Sequence, residues 1–271
     1  MNTKHLAAKL FTRGLKRFSN IHKGESCYIF GDGPSLKWFD LSKFSDLPAL
    51  CCGMIPFHKD FKKLDVRYVT LVEPWIFAPR LIQPKVNYLS QLRGIAEEYR
   101  RFINVTPEKE FFVSLSNAFW LKGQNINYVY RSFPALRNDI DGMLSRYDLY
   151  AGSFHATLSL AYYLGFKKIY LVGFDAWTIQ PARASRWYEL GAGEIFETKN
   201  FAEDFLEILK RDVEIYTISH SGTSCNVSHI DYEVFTGIKP CFRENYELMS
   251  DRYLKIMSTF PDYNIYPNKN V

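Results

Sequence analysis

Residues 27–36 read CYIFGDGPSL. Cys27, Tyr28, Ile29 and Phe30 form a short apolar run, the pattern of a strand buried on both faces. Gly31, Asp32, Gly33, Pro34 and Ser35 then break it. Gly31 and Gly33 carry no Cβ, so the backbone turns tightly and comes close to a ligand. Pro34 fixes φ, and Ser35 suits the N-cap of a short helix. Strand, glycine turn and helix N-terminus together present backbone N–H groups to a phosphate. The stretch therefore reads as the floor of a nucleotide site, in which a side chain at position 33 would fill the cradle. A strand-to-helix turn with no ligand uses the same residue types.

The second informative block is residues 148–177, DLYAGSFHATLSLAYYLGFKKIYLVGFDAW. Gly152 and Ser153 open a helix, whose Ala156, Ser159, Leu160 and Tyr163 form a face able to lie close to a sheet. Gly165 closes it as a C′ residue. Ile169, Tyr170, Leu171 and Val172 follow as a buried strand, ended by Gly173, Phe174 and Asp175. This helix-to-strand unit predicts an α/β, Rossmann-like, mainly parallel sheet with helices on both faces. Residues 49–54, 66–72, 109–115 and 123–132 read as further strands, and 213–218 as the last. In such a sheet ligands sit beyond the carboxyl ends of the strands. Gly33, Gly53, Glu73 and Asp175 all fall at such ends. Glu73 there meets either a ligand or a surface cation. Asp175 accepts either from a ligand or from a neighbouring turn. Ser153 binds an anion or simply caps its helix, and His155 reads as a packed histidine.

Residues 178–199, TIQPARASRWYELGAGEIFETK, lack a regular apolar period. A long irregular stretch inside a domain reads as a lid or a loop. Arg183 and Arg186 suit a phosphate, and Trp187 and Tyr188 suit stacking on a sugar or base. Glu189, Glu194 and Glu197 are candidate general bases, as is His220 in the His-Ser-Gly-Thr-Ser run that follows the last strand. Residues 231–271 are expected to form one or two helices and a polar tail.

The 271 residues carry a formal net charge of +5, which suits an anionic ligand or surface but falls short of a nucleic-acid footprint. Five cysteines without a CxxC or Cys/His cluster predict neither a zinc site nor a disulfide framework, and fit a reducing, cytoplasmic compartment. No signal-peptide or membrane-spanning pattern is evident. Residues 1–23 hold Lys4, Lys9, Arg13, Lys16, Arg17 and Lys23 and no acid, with Leu6, Leu10, Phe11, Leu15 and Phe18 at helical spacing. This basic amphipathic helix either meets the inner face of an anionic membrane or docks its apolar stripe on the domain. The expected organisation is that helix followed by one domain over residues 24–271 with a lid at about 178–199. An oligomer is left open.

YIFGDGPSL and GSFHATLSLAYYLGFKKIYLVGFDAW resemble the Campylobacter-type bacterial sialyltransferases, glycosyltransferase family 42. They are also similar to the motility-accessory-factor glycosyltransferases, which share a GxGPSL turn. The resemblance implies a GT-A-like variant of the Rossmann fold and a CMP-activated sialic-acid-like donor. It further implies inverting transfer to a cell-surface glycan with no metal or cofactor, in bacterial cell-surface polysaccharide biosynthesis. It would place Gly31, Asp32, Gly33, Pro34, Ser35, Ser153, Asp175 and Trp177 around the donor, and the strand-end reading adds Gly53 and Glu73 to them. The reading of the residues themselves takes the general base from Glu194, Glu189 or His220. This sequence departs from the family at five places. Asp32 replaces an asparagine, Gly53 and Glu73 stand where asparagines follow the second and third strands, Trp177 replaces a tyrosine, and the lid histidine has no counterpart. The alternatives are a Mg²⁺-dependent enzyme resembling pterin diphosphokinases and a nucleotide-binding relative without activity.

Overall fold

The computed structural model describes residues 11–79, 87–129, 152–196, 203–224 and 226–267. Its strands are β1 (Ser26–Phe30), β2 (Ala49–Cys52), β3 (Val66–Leu71), β4 (Glu110–Ser114), β5 (Ile126–Val129), β6 (Lys168–Val172), β7 (Ala182–Ala184), β8 (Glu194–Phe196), β9 (Glu214–Ser219) and β10 (Ser228–Asp231). Eight of them form one sheet in the order β10-β9-β6-β1-β2-β3-β4-β5. Every pair in it is parallel. The fold is thus the Rossmann-like α/β architecture expected from the sequence. The helices are α1 (Asn87–Val105), α2 (Ser153–Leu164), α3 (Asp175–Thr178), α4 (Glu203–Leu209), α5 (Tyr232–Thr236), α6 (Asn245–Leu248) and α7 (Asp251–Met257).

The apolar runs have no polar alternation because both faces of the sheet are covered. Side chains still alternate with the pleat. Tyr28 and Phe30 of β1 and Cys51 of β2 join one core, with Ile95, Tyr99 and Ile103 of α1 and Leu254 and Met257 of α7. Cys27, Ile29, Leu50 and Cys52 join the other, with Leu158, Leu160 and Leu164 of α2 and Leu206 and Leu209 of α4. Helix α2 is buried nearly all round and lies across β1, β2 and β3, which is why its sequence is apolar on every side.

Four expectations are corrected. The described part of the N-terminal segment is mainly a 3-10 turn, Arg13–Phe18, not a continued α-helix. Gly14 lowers helix propensity there, and Asn20 takes a left-handed φ of 57° that ends the turn. Of the stripe's described residues, Leu15 and Phe18 are docked and Phe11 is exposed: Phe18 lies edge-on to Phe112 at 5.0 Å, and His22 Nε2 lies 2.7 Å from the Tyr68 hydroxyl. Residues 1–10 lie outside the described residues. Second, β9 is not the last strand. The short polar segment Ser228–Asp231 pairs beside it as β10, on the edge of the sheet, and carries no apolar pattern because it is largely exposed. Third, the irregular stretch contains an antiparallel hairpin, with Ala182 opposite Phe196 and Ala184 opposite Glu194. Strands of three residues are too short to show a period. Beyond β10 the chain forms three short helices instead of one or two. Among the described residues, no helix is long and apolar enough to cross a membrane.

Candidate active-site cleft

From β1 the chain steps outward through β2, β3, β4 and β5, then returns to lay β6 on the opposite side of β1. The strand order therefore reverses between β1 and β6, and the crevice outside their carboxyl ends is where ligands bind in open α/β sheets. A cleft of about 750 Å³ occupies that place. Asp32, Gly33 and Pro34 after β1, Gly53 after β2, Glu73 after β3, and Gly173 and Asp175 after β6 form its floor. Ser153 and Phe154 at the start of α2, Trp177, and the hairpin residues Arg183, Arg186, Tyr188 and Glu189 form its walls.

The floor is held together by contacts between loops. Gly31 N donates to Val172 O at 2.9 Å, Gly33 N to Gly173 O at 2.6 Å and Ser35 N to Asp175 Oδ2 at 3.1 Å. The glycine turn thus spends three backbone donors on the end of β6 and the loop after it, where a free phosphate cradle was expected. The glycines are needed for the same packing. A Cβ on Gly33 would lie 2.1 Å from Asp175 Oδ2 and 2.6 Å from Gly173 O. Ser35 is not the N-cap; Gly33 occupies that position and Ser35 sits inside a 3-10 turn, Pro34–Trp38. Asp175 takes the second of its two sequence readings, an acceptor for a neighbouring turn. Burial raises its carboxyl above the ordinary range, and the bond from Ser35 N opposes that shift.

Asp32 ties three segments. Its Oδ1 accepts from Met54 N at 2.8 Å and from the Trp187 indole at 3.1 Å, and its Oδ2 receives a longer branch from Met54 N at 3.1 Å. Burial pushes its carboxyl up to about 6, against the pull of Met54, Trp187 and Arg186 and with a contribution from Glu73. Gly53 makes room for this carboxylate: its φ is +63°, and a Cβ there would lie 1.9 Å from Asp32 Oδ2. Glu73 accepts from the Ser153 hydroxyl at 3.1 Å. Trp177 stacks on Phe154 with centroids 5.1 Å apart, and His155 is packed edge-on to it at 5.4 Å. Gly152, the N-cap of α2, has no side chain to cap it, and Ser153 and Phe154 of the first turn line the cleft, so the end of the helix that carries partial positive charge lies at the cleft.

The hairpin is fastened at both ends. At its base Gln180 and Thr223 exchange backbone bonds of 2.8 and 3.0 Å. At its tip the fully buried Lys37 ammonium donates to the Glu189 and Gly191 carbonyls. Glu244 Oε1 accepts from Gly191 N at 3.1 Å and its Oε2 lies 3.9 Å from the Lys37 ammonium. Trp187, expected to stack on a ligand, is instead core, fully buried with its indole N–H on Asp32.

The structure brings Asp32, Gly33, Pro34, Gly53, Glu73, Ser153, Asp175, Trp177 and Glu189 to one cleft. Gly31 and Ser35 lie behind the turn. Of the candidate bases, Glu189 lines the cleft, but Arg186 occupies both its oxygens, N at 3.0 Å and the guanidinium at 3.1 Å. Glu194 is exposed on β8 and is not part of the lining. His220 stacks on Trp38 at 4.1 Å, outside the lining, where burial and Arg183 push its pKa down to about 4. Glu197 lies outside the described residues. Tyr99, Asp262 and Tyr263 also line the cleft and carried no sequence signal. Among the described residues, no three His, Cys, Asp or Glu side chains are grouped to hold a metal ion.

Fold and site together define a doubly wound α/β protein with a cleft at the reversal of its strand order. No family model matches the chain, and no curated protein matches it. Solved structures do. The sialyltransferase CstII from Campylobacter jejuni, in complex with the substrate analogue cytidine-5′-monophosphate, is 14% identical over 88% of this chain and 99% of its own, with a TM-score of 0.41. CST-II with a trisaccharide acceptor and CMP is 16% identical over 86% and 99%, with a TM-score of 0.41. The α-2,3-sialyltransferase from Campylobacter jejuni in apo form is 17% identical over 76% and 82%, with a TM-score of 0.40. Identities and scores of this size speak to neither substrate nor reaction.

Proposed function

We propose that the chain is an inverting, metal-independent glycosyltransferase. It takes a sialic-acid-like nonulosonic acid from a CMP-activated donor and passes it to a hydroxyl of a glycan. The observation that carries this reading is the convergence of both informative sequence blocks, CYIFGDGPSL and GSFHATLSLAYYLGFKKIYLVGFDAW, on one cleft at the strand-order reversal. The start of α2 and the Arg183 guanidinium are the electropositive groups that would receive the leaving phosphate. Trp177 and Phe154 supply an apolar wall beside them.

A second reading has its own support. Five carboxylates (Asp32, Glu73, Asp175, Glu189 and Asp262) face two guanidiniums (Arg183 and Arg186) in the cleft. Such a surface favours a phosphate that arrives with a divalent cation, as in Mg²⁺-dependent diphosphoryl transfer from ATP. One panel separates the two: thermal unfolding with CMP, UDP, GDP or ATP, each with and without Mg²⁺. A ligand at about a hundred times its Kd stabilises the folded state by about 2.7 kcal/mol. CMP alone is expected to raise Tm by about 5 °C. A shift with ATP that appears only with Mg²⁺ supports the second reading, and no shift with any nucleotide overturns both.

A further inference from the structure

We propose that Asp32 is the general base of this transfer and takes the acceptor hydroxyl's proton on Oδ2. The assignment rests on the glycosyl-transfer reading above. Oδ1 is filled by Met54 N and the Trp187 indole, whereas among the described residues Oδ2 receives only the longer branch of the Met54 bond and keeps acceptor capacity. Oδ2 lies against Gly53, in the volume a Cβ at that position would need, so glycine is what lets the carboxylate sit there, and both residues line the cleft.

The other carboxylates there are less suited. Glu189 is closed by Arg186, Asp175 is bonded under the glycine turn, Glu73 holds Ser153, and Asp262 is solvent-exposed. Burial raises Asp32 to about 6, which keeps it ionised at neutral pH yet a stronger base than an ordinary carboxylate. The groups around it are Arg186 and Glu73, with Tyr99, Tyr188, Cys51 and Cys52 behind. Burial raises those last four, so they keep their protons across the same window.

In the step, the acceptor O–H bond breaks as its oxygen bonds the anomeric carbon. The bond from that carbon to the donor phosphate breaks, and its electron pair leaves with the nucleotide. The proton rests on Oδ2 and returns to water.

The test compares wild type with Asp32→Asn and Asp32→Glu. CMP affinity is read by calorimetry, and turnover by CMP release from CMP-sialic acid with lactose between pH 5 and 9. Asp32→Asn is expected to lower kcat about a hundredfold, to leave the CMP Kd within about threefold, and to erase the acid limb. Asp32→Glu keeps a limb. A fall in kcat of less than about tenfold, or a Kd that rises in step with the loss, overturns the assignment alone. A wild-type chain that neither binds CMP nor turns over overturns the glycosyl-transfer reading and this one with it.

A readout without substrate accompanies it. The folded carboxyl titrates above its ordinary value of 3.8, so the folded state holds the proton more tightly and wild-type stability falls as pH rises through about 6. In Asp32→Asn that part of the pH dependence is absent. If urea unfolding shows the same pH dependence in both proteins, Asp32 is not the poised acid and the assignment fails.

Discussion

Gly33→Val is expected to unfold the floor of the cleft, not merely to empty it. The first atom of the new side chain would stand 2.1 Å from Asp175 Oδ2 and 2.6 to 2.7 Å from the Gly173 carbonyl. Two of those three atoms are backbone, so a rotamer change cannot relieve the clash. The loop after β6 would have to withdraw, breaking the Gly33-to-Gly173 bond and the bond from Ser35 N to Asp175. Overpacking together with loss of buried hydrogen bonds costs about 3 kcal/mol or more. At the size of this chain that lowers Tm by about 6 °C. Urea titration should show a lower midpoint with an unchanged slope. A variant with wild-type stability that has lost only its nucleotide affinity would show that the turn serves the ligand directly, and the packing account would be wrong.

Lys37→Met carries the second large effect. The ammonium is wholly buried and donates to the Glu189 and Gly191 carbonyls, with Glu244 3.9 Å away. Burial lowers its pKa, and Glu244 and Glu189 hold it up. Methionine matches the length of the stem but offers no donor. Two carbonyls and a partly buried carboxylate are then left without their cation, a loss of about 3 kcal/mol. The damage should centre on the hairpin tip, because Gly191 N and Glu244 form the other half of the same joint. Faster proteolysis between β7 and β8, beside a lowered Tm, is the expected signature. Unaltered cleavage there would place the energetic weight on Gln180–Thr223 or on Trp187.

Much of the sheet was legible because parallel strands buried on both faces spell short apolar runs, and VRYVTL and KIYLV are unambiguous in that respect. The strand ends were equally plain, since Gly33, Gly53, Glu73 and Gly173 punctuate them, and so the floor of the cleft was located. Its internal logic was not. Whether a glycine is bare to admit a ligand or another loop depends on what the fold brings opposite it. Here Asp175 and Gly173 arrive from about 140 residues away. The upper wall was hidden for a related reason. Tyr99 looks like any core residue of α1, and Asp262 and Tyr263 come from a tail without a motif. Trp187 was misjudged because an aromatic in a polar stretch suggests an exposed platform, while its indole N–H found a buried acceptor in Asp32.

The thiols at the centre of the sheet have a practical consequence. Cys27 in β1 and Cys51 and Cys52 in β2 are buried and free, and burial raises all three thiols far from the reactive thiolate form. An alkylating reagent reaches them only when the middle strands part, whereas the exposed Cys241 reacts from the start. The chain thereby carries its own clock for transient opening beneath the cleft, with an internal reference on the surface, and needs no dye or tag to read it.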